Sequence, residues 1–499
     1  MEDGRSRPLG QAKAELQAIV GSANVVDEQT VLDEHSSDLS LVSGPRPLCI
    51  VRPGCASEVQ AVVRLANAIG TPLVPVSSGP PHFRGDTVPS AAESVMLDLS
   101  RMKRIIRIDA VNCVALVEPG VTFAELQPEL RKAGLTAYLP LAPRASKSVA
   151  GSILEREPIT QPNYHWDSLD PLLCAEMVLG TGDMLRTGEA AGPDAIEEQW
   201  EIGKAQLNPF GPGQYDQNRI ISGAQGTIGV VTWASVKCRP LPDATRAFLV
   251  PADTIEPLIS VSYQLVRQRL GNHCFIVNAL NLACLMAEGP AGIRALRAAL
   301  PPWVLVVTFE GAGDLAADKL AYQEADFRDV LAAEGLQAHE AEAGIRAEEL
   351  HAALGRASAE PNWKVRYKGG AQELLFLSTL DKSPRFIEAV NAAAGRSGVA
   401  AEDTGVYLQM IVQGTSCHCG FDFYYDPADQ AAAGAASRAI TSSSQAVSEA
   451  GAFFSRPYPQ WAALAYAQAT TTSILQRKLK AIFDPNGILN PGKLCFQGV

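Results

Sequence analysis

Three short loops combine small residues, hydroxyl groups and nearby cations, which together can bind phosphate oxygens. They are Val76-Ser77-Ser78-Gly79-Pro80-Pro81-His82-Phe83-Arg84-Gly85, Pro143-Arg144-Ala145-Ser146-Lys147-Ser148-Val149-Ala150-Gly151-Ser152 and Ser222-Gly223-Ala224-Gln225-Gly226-Thr227-Ile228-Gly229. Backbone N–H groups with a cation beside them hold a pyrophosphate. Loops rich in glycine and proline also simply turn the chain, so each loop alone leaves that alternative open. Three of them in one half of the chain favour a phosphate-bearing ligand.

A second candidate for chemistry is Cys417-His418-Cys419, whose thiols and imidazole are ligands that suit zinc. Alternate residues of a strand point to one face, so a given site meets either both sulfurs or the histidine. The sequence shows no second ligand cluster to complete such a site. We therefore predict no metal and interpret the segment as a buried strand end that faces a ligand.

Strands and helices alternate from about residue 50, and this alternation positions the loops. A strand over 73–76 is predicted to lead into the first loop, and the third loop enters a strand over 230–233. Thr122 is predicted to cap a helix over 123–132, and Ser57 to cap a helix over 58–68. The loops therefore lie at strand and helix ends, where backbone groups are free to bind a ligand.

The chain is predicted to contain two or three domains, because domains commonly hold about 100–200 residues. Proline content rises around 240–251, where we place a boundary. This gives an N-terminal part over 1–248, a second α/β unit over 249–425, and a C-terminal segment over 426–499.

Composition excludes several classes of partner. The chain is 47% hydrophobic and 19% charged, which predicts a large buried core rather than disorder. A net charge of -12 disfavours nucleic acid and anionic lipid as partners. No apolar run is long enough to span a membrane, the first residues do not resemble a secretory signal, and the ten cysteines have no haem or iron–sulfur spacing. We expect a cytoplasmic protein with free thiols.

Over about residues 30–497 the chain resembles the vanillyl-alcohol-oxidase and para-cresol-methylhydroxylase (PCMH) flavoprotein family. The most specific motif is Phe483-Asp484-Pro485-Asn486-Gly487-Ile488-Leu489-Asn490-Pro491-Gly492-Lys493. Val117-Glu118-Pro119-Gly120-Val121-Thr122 and Gly226-Thr227-Ile228-Gly229-Val230-Val231 also match, in the same order and spacing. The resemblance implies an α+β fold: a PCMH-type FAD-binding domain made from residues 1–248 and 426–499, with an α/β substrate cap over 249–425.

The resemblance also implies site residues. The residues predicted to contact FAD are Val76, Ser77, Ser78, Gly79, Pro80, Pro81, His82, Pro119, Ser146, Lys147, Ser148, Gly151, Ser152, Gly226, Ile228, Asn490 and Lys493. Counting back nine residues from Glu176 gives Asp167, which matches the family's acid/base aspartate beside flavin N5. Asp167 or Asp170 can alternatively be a helix cap. Arg456 matches the substrate-binding arginine, and Tyr164, Tyr458 and His82 are candidates for the same pocket.

Three departures from the family weaken particular assignments. Pro80 and Pro81 stand where the first flavin loop has glycines, and Ala145–Lys147 replace a Gly-Gly pair. Proline removes an N–H donor, so Arg84, Arg144 and Lys147 are expected to supply charge instead. Ser455 replaces the tyrosine beside Arg456, which puts phenol activation in doubt.

His418 lies near the position of covalent FAD attachment in the family, although Cys419 can occupy that position. We predict that FAD is bound noncovalently, with a histidyl linkage as the alternative.

The sequence therefore predicts an FAD-dependent oxidase or dehydrogenase. Its small-molecule substrate is an activated, aromatic or allylic, alcohol-type compound, and electrons pass to oxygen or a protein acceptor. The runner-up is a 2-hydroxy-acid dehydrogenase, although the His-x-Gly-Asp-Gly-Asn and Glu-His-Gly motifs of those enzymes are missing. A third alternative is a degenerate flavin fold that serves as an assembly subunit without catalysis. We also expect a homo-oligomer.

Overall fold

A computed structural model describes residues 9–162, 171–204, 206–211, 217–412 and 416–496. The first part of the chain builds a small sheet in the order β1-β2-β4-β3, in which β4 pairs in parallel with both β2 and β3. Its strands are β1 Val25–Val26, β2 Cys49–Val51, β3 Leu73–Val76 and β4 Val95–Asp98. The predicted strand before the first loop is thus β3, and the loop begins where β3 ends.

A second, antiparallel sheet follows in the order β5-β6-β10-β8-β9, with β7 added on β10. Its strands are β5 Ile105–Asp109, β6 Val114–Val117, β7 Leu135–Ala137, β8 Leu172–Leu179, β9 Met184–Arg186 and β10 Gly229–Pro240. The helices of this part are α1 Leu9–Val20, α2 Gln29–Glu34, α3 Ala56–Ile69, α4 Phe123–Lys132, α5 Val149–Leu154, α6 Ile196–Glu201 and α7 Asn218–Ile221. The apolar faces of α4 and α5 pack against this sheet in one core.

Two predicted helix caps have different outcomes. Thr122 caps α4 as predicted, and the Glu125 side chain completes a capping box by accepting the Thr122 N–H. The prediction for Ser57 was wrong, because α3 begins at Ala56 and its N-cap is Cys55, which makes no side-chain cap bond. The Ser57 hydroxyl lies 3.0 Å from the Cys55 sulfur instead.

The third sheet is antiparallel, in the order β11-β13-β12-β17-β18-β16. Its strands are β11 Ala244–Ala252, β12 His273–Asn278, β13 Trp303–Gly311, β16 Gly370–Ser378, β17 Thr404–Val412 and β18 Ser416–Tyr425, and the hairpin β14 Ala341–Glu342 and β15 Ile345–Arg346 lies apart. The helices from here on are α8 Glu256–Gln268, α9 Ala279–Met286, α10 Gly289–Ala299, α11 Ala316–Ala333, α12 Ala347–Leu354, α13 Ser383–Ser397, α14 Gln430–Glu449, α15 Ala462–Ala467 and α16 Thr470–Phe483. No described helix has the length and apolarity needed to cross a bilayer.

The strand pairing and helix packing lead us to propose domain boundaries that differ from those predicted. The predicted boundary after residue 248 cuts β11, which pairs with β13 along its whole length, so we propose that the cap begins near residue 244. The helix α14 shares the cap core through Ala439, Ile440 and Val447, although it was predicted to return to the FAD domain. We therefore propose that the return begins after α14. The physical reason is that sheet pairing and helix packing decide membership, whereas proline content does not.

Candidate active site

Two cavities adjoin each other, and the second of them lies between the N-terminal domain and the cap. The loop cavity is lined mainly by the N-terminal domain, including residues of the three predicted loops, together with residues of the C-terminal segment. The cap cavity is lined about equally by the N-terminal domain and by the cap. Their shared wall contains Phe83, Arg84, Arg144, Lys147 and Arg456. A ligand in one cavity is therefore next to a ligand in the other.

About half of the predicted FAD-contact residues lie in the wall of the loop cavity. They are Val76, Ser77, Ser78, His82, Pro119, Lys147, Gly151, Gly226 and Asn490. Gly151 is required by close approach, because a Cβ there would stand 2.8 Å from the Ser77 hydroxyl oxygen. Gly226 has φ of 68°, in the left-handed region that glycine tolerates. The second and third loops thus each contribute a glycine to the cavity wall.

The remaining predicted FAD-contact residues lie outside that wall, and most of them hold the loops in place; their contact with FAD stays a prediction. The Gly79 N–H donates to the Ser146 carbonyl at 2.9 Å, and the Ser146 hydroxyl donates to the Pro80 carbonyl at 2.9 Å. Ser148 caps α5 and donates to the Pro119 carbonyl at 2.5 Å. The others are Pro81, Ser152, Ile228 and Lys493. Ser152 donates a hydrogen bond to Glu157, and Ile228 lies in a hydrophobic core. Lys493 donates to the carbonyls of Gly85 and Val88.

The C-terminal motif closes the loop cavity. The Asn490 N–H donates to the Leu73 carbonyl at 2.8 Å, so the motif extends the edge beside β3. The Asn490 amide group donates to the carbonyls of Asp86 and Gln225, at 3.0 and 2.8 Å. One side chain therefore ties the end of the first loop to the third.

Unpartnered buried atoms show that the loop cavity suits a ligand with both donors and acceptors. Among the described residues, the side-chain oxygens of Gln225 and Asn490 have no partner, and neither do Arg144 Nε and Arg456 Nη1. Such atoms are costly to bury unless a ligand satisfies them. FAD offers phosphate oxygens to cations and ring N–H and ribose hydroxyl groups to the two amide oxygens. The residues present fit that cofactor.

Arg84 and Lys147 were expected to face phosphate, but both are already in ion pairs. Arg84 contacts Glu155, lies 2.7 Å from Glu157 and bonds Glu373 across the domain interface at 2.9 Å. Lys147 lies 2.5 Å from Glu155. Burial opposes ionisation of Glu157, but Lys147 and Arg84 outweigh it and lower the pKa of that carboxyl. The network therefore stays ionised and joins the two domains.

The cap cavity has its own buried ion pairs. Lys364 lies 2.7 Å from Glu373 on β16 and 2.6 Å from Asp422 on β18. Asn281 donates to the second oxygen of Asp422 at 3.0 Å. Burial raises the pKa of Asp422, whereas Lys364 and Arg84 overcome burial and lower the pKa of Glu373. Lys364 is thus neutralised by two carboxylates.

His418 and Arg456 meet at the boundary between the cavities. His418 Nδ1 lies 3.4 Å from Arg456 Nη2, so that ring nitrogen accepts and the imidazole is neutral. Burial and the Arg456 charge lower the pKa of His418 well below its ordinary value. Cys417 and Cys419 belong to the hydrophobic core on the other face of β18. Cys419 is therefore turned away from both cavities, and the alternative that placed it at a flavin linkage is wrong.

The two predicted tyrosines differ in what the structure describes. Tyr458 lines the loop cavity, is buried, and has the Arg84 guanidinium over its ring at 5.5 Å. Tyr164 and the proposed base Asp167 lie outside the described residues, so their placement stays a prediction.

Sequence reasoning missed several residues that line the cavities. Gln225 is inside the third loop and could have been included with Gly226. Glu373 and Asp422 had one available signal, which is a charge inside an apolar strand. Lys364 lies in the connection before β16, close to Arg366 and Lys368, and had none. Asp86 also lines the loop cavity, and burial together with Glu155 raises its pKa to about 6.

A separate cluster of titratable residues ties the two domains together. Arg239, from β10, binds Glu310 on β13, and His273 lies 3.7 Å from the same carboxylate. The ligand atoms of His273, Glu310 and His351 lie within 4.8 Å of one another. The Arg239 guanidinium contacts both Glu310 oxygens, so it occupies the position that a cation would need.

Comparisons with known proteins agree with this geometry. The sequence pattern of an FAD binding domain matches residues 47–188, and that of the C-terminal domain of FAD linked oxidases matches residues 460–494. The chain is 27% identical over 285 residues to the 4-cresol dehydrogenase [hydroxylating] flavoprotein subunit of Pseudomonas putida, covering 56% of this chain and 52% of the relative. It is 26% identical over 307 residues to a D-2-hydroxyglutarate dehydrogenase of Xanthomonas citri pv. viticola, covering 61% and 60%. The chain thus matches little more than half the length of these relatives.

Solved structures share the fold over nearly the whole chain. A 4-ethylphenol oxidase from Gulosibacter chungangensis, in complex with isoeugenol, has a TM-score of 0.83 at 22% identity and covers 99% of both chains. A p-cresol methylhydroxylase with substrate bound has a TM-score of 0.83 at 20% identity and covers 99% of this chain and 98% of that one.

The loop cavity, the fold and the two matched domains are those of an FAD-binding protein, and the matched domains make the chain similar to FAD linked oxidases. The predicted resemblance to the vanillyl-alcohol-oxidase and PCMH family, the PCMH-type fold and FAD as the cofactor are confirmed.

Proposed function

We propose that this flavoprotein oxidises an activated, alcohol-type carbon of a small-molecule substrate held in the cap cavity. The observation that carries the proposal is the shared wall, since it places a substrate-sized cavity directly beside the cavity that fits FAD. When bound, FAD supplies a hydride acceptor at flavin N5. Pockets at domain interfaces are common substrate sites, because two surfaces enclose the ligand and exclude water.

Individual residues of the chain are proposed to orient the substrate and to accept its proton. Arg456 offers a buried, unpartnered N–H toward an anionic or electron-rich group of the substrate, and so orients it. His418 keeps a neutral ring against Arg456 and adds no second charge there. We propose Asp167 as the base that accepts the hydroxyl proton, because an alcohol that loses hydride otherwise leaves a protonated carbonyl.

A 2-hydroxy-acid dehydrogenase is the second candidate. The support for it is that Arg456 and Arg144 both have unpartnered N–H groups in the shared wall, where a carboxylate can bind. The alternative without catalysis, a degenerate flavin fold, predicts a colourless protein that FAD cannot reconstitute. Oxygen or a protein as the electron acceptor, and a homo-oligomeric state, stay predictions.

Cofactor content and reduction test the proposal together. We expect one FAD per chain, released into the supernatant by acid precipitation, and bleaching of the flavin by substrate under anaerobic conditions. Yellow colour that stays in the pellet and moves to a peptide containing His418 would show covalent attachment instead. Release of FMN, or no flavin after reconstitution, contradicts the proposal.

A further inference from the structure

The cap cavity carries more positive charge than its own carboxylates neutralise. Among its described lining residues there are five cations and three carboxylates. The cations are Arg84, Arg144, Lys147, Lys364 and Arg456, and the carboxylates are Glu157, Glu373 and Asp422. Arg84, Lys147 and Lys364 are in ion pairs, and Glu155, which lines the loop cavity, pairs with two of those cations. With Glu155 included, five cations face four carboxylates, and the two cations without an ion pair among the described residues are Arg144 and Arg456.

Neither of these arginines has a carboxylate partner in the described part of the chain. Arg144 donates to the Gly79 carbonyl at 3.2 Å, and its Nε is buried without a partner. Arg456 is 4% exposed, contacts His418 at 3.4 Å, and its Nη1 is buried without a partner. Both side chains line both cavities, and each has a buried N–H group without a partner among the described residues, so a ligand in either cavity contacts both arginines.

Leaving two guanidinium groups buried without counter-charge is unfavourable. An unpaired buried charge costs several kcal/mol, and each unsatisfied donor adds to that cost. Burial lowers the pKa of both arginines, which agrees with the missing anion. A ligand that brings negative charge into the cavity removes this penalty, and its binding is favoured for that reason.

The number of free donors favours one kind of anion. A carboxylate has two oxygens and about four acceptor sites, and it matches the planar fork of arginine. A phenolate has a single oxygen, so it offers fewer acceptor sites to the N–H groups of a guanidinium. Two arginines with free N–H groups therefore suit a carboxylate better than a phenolate.

We propose that Arg144 and Arg456 together bind a carboxylate of the substrate, so that the substrates of this flavoprotein are carboxylic acids. The inference rests on the proposed function, because it assigns a substrate class to the same cavity. Arg144 is then a specificity-determining residue contributed by the second loop, and Arg456 is its counterpart in the segment that follows α14.

Binding of benzoate and of its neutral isostere benzamide to the FAD-loaded protein tests the inference. Both are measured by perturbation of flavin absorbance and by calorimetry, in wild type, Arg144→Gln, Arg456→Gln and the exposed control Arg346→Gln. We expect benzoate to bind at least about 10-fold more tightly than benzamide. Each site variant should lose about 10- to 100-fold in benzoate affinity, because hydrogen bonds to charged groups are worth about 1.5–3 kcal/mol. Benzamide affinity and the control should not change.

Several results overturn the inference. They are no benzoate binding, equal binding of benzoate and benzamide, tighter binding of phenol, or unchanged benzoate affinity in Arg144→Gln. A loss of FAD affinity in Arg144→Gln with benzoate affinity retained assigns Arg144 to the FAD pyrophosphate instead. If a glutamine variant does not fold, Arg144→Lys and Arg456→Lys replace it in the test. Lysine keeps the positive charge but lacks the planar guanidinium fork, so each lysine variant should show an intermediate loss of benzoate affinity.

The failure of this inference is distinguishable from failure of the proposed function. A wild-type protein that takes no FAD contradicts the proposed function, and calorimetry with benzoate still decides the carboxylate site. A protein that takes FAD and is reduced by a neutral alcohol but ignores benzoate contradicts the carboxylate site alone.

Discussion

The two cavities are built from different kinds of sequence. Much of the loop cavity comes from contiguous stretches, such as 76–78 and 223–226, whose backbone and small side chains form the wall. The cap cavity collects single charged residues, Lys364, Glu373 and Asp422, from separate points of the cap. A loop that binds through consecutive backbone groups leaves a motif, whereas a wall assembled from distant side chains leaves almost none.

The difference extends to how each wall is held together. Backbone hydrogen bonds such as Gly79 to Ser146 fix the loops to one another. Ion pairs such as Arg84 to Glu373 fix the cap side and cross the domain interface. Mutations on the loop side should therefore change the chemistry or the local structure. Mutations on the cap side should lower the global stability.

The largest effect is expected for Asp167→Asn, which removes the proposed base. Loss of a positioned base should slow anaerobic flavin reduction by about 10²–10⁴-fold, while FAD still binds. Rapid mixing with substrate measures the rate, and Asp170→Asn is the control that should change little. A wild-type rate in Asp167→Asn, or a larger loss in Asp170→Asn, contradicts the assignment.

On the cap side, Glu373→Gln should lower the free energy of unfolding by about 3–5 kcal/mol, because Arg84 and Lys364 each lose a buried partner. Chemical denaturation measures the change. Glu348→Gln, on an exposed ion pair, is the matched control and should stay within about 0.5 kcal/mol of wild type. Equal stability of Glu373→Gln and wild type would show that the network does not hold the domains.

A third prediction concerns acid stability at the domain interface. Burial opposes ionisation of Glu310, but His273 and Arg239 outweigh it and lower its pKa from 4.5 to about 2. A lowered folded-state pKa gives stability that is present above pH 4.5 and is lost as the pH falls toward 2. The stability advantage of wild type over Glu310→Gln should shrink by about 3 kcal/mol across that window. Unfolding measured at several pH values checks this, and a constant difference contradicts it.

The smallest effect is expected for the helix cap at Thr122, which is a local feature of the N-terminal domain. Thr122→Ala removes the capping box of α4 and should lower the free energy of unfolding by about 1 kcal/mol. Ser57→Ala is the contrast, since Ser57 makes no cap bond to α3, and its effect should be under about 0.5 kcal/mol. A larger loss for Ser57→Ala than for Thr122→Ala would reverse the comparison.

Much of the N-terminal domain was predictable because its signals are short-range. The strand over 73–76, the helix over 123–132 and the Thr122 cap depend on neighbouring residues, and the structure has them at those positions. The proposed start of the cap near residue 244 was not predictable in this way, because it depends on the pairing of β11 with β13, which is about 60 residues later in the chain. Proline composition carries no information about such pairing.

The sequence by itself determined the cofactor class and the PCMH-type fold, since both depend on motifs of consecutive residues such as Phe483–Lys493. Only the tertiary structure decided which charges are free. In the sequence, four residues are equivalent cations: Arg84, Arg144, Lys147 and Arg456. Folding pairs Arg84 and Lys147 with carboxylates, whereas the other two have no carboxylate partner in the part of the chain that the structure describes. The physical reason is that ion pairing depends on distances between side chains far apart in the chain, and these distances exist only after the cap has packed on the FAD-binding domain.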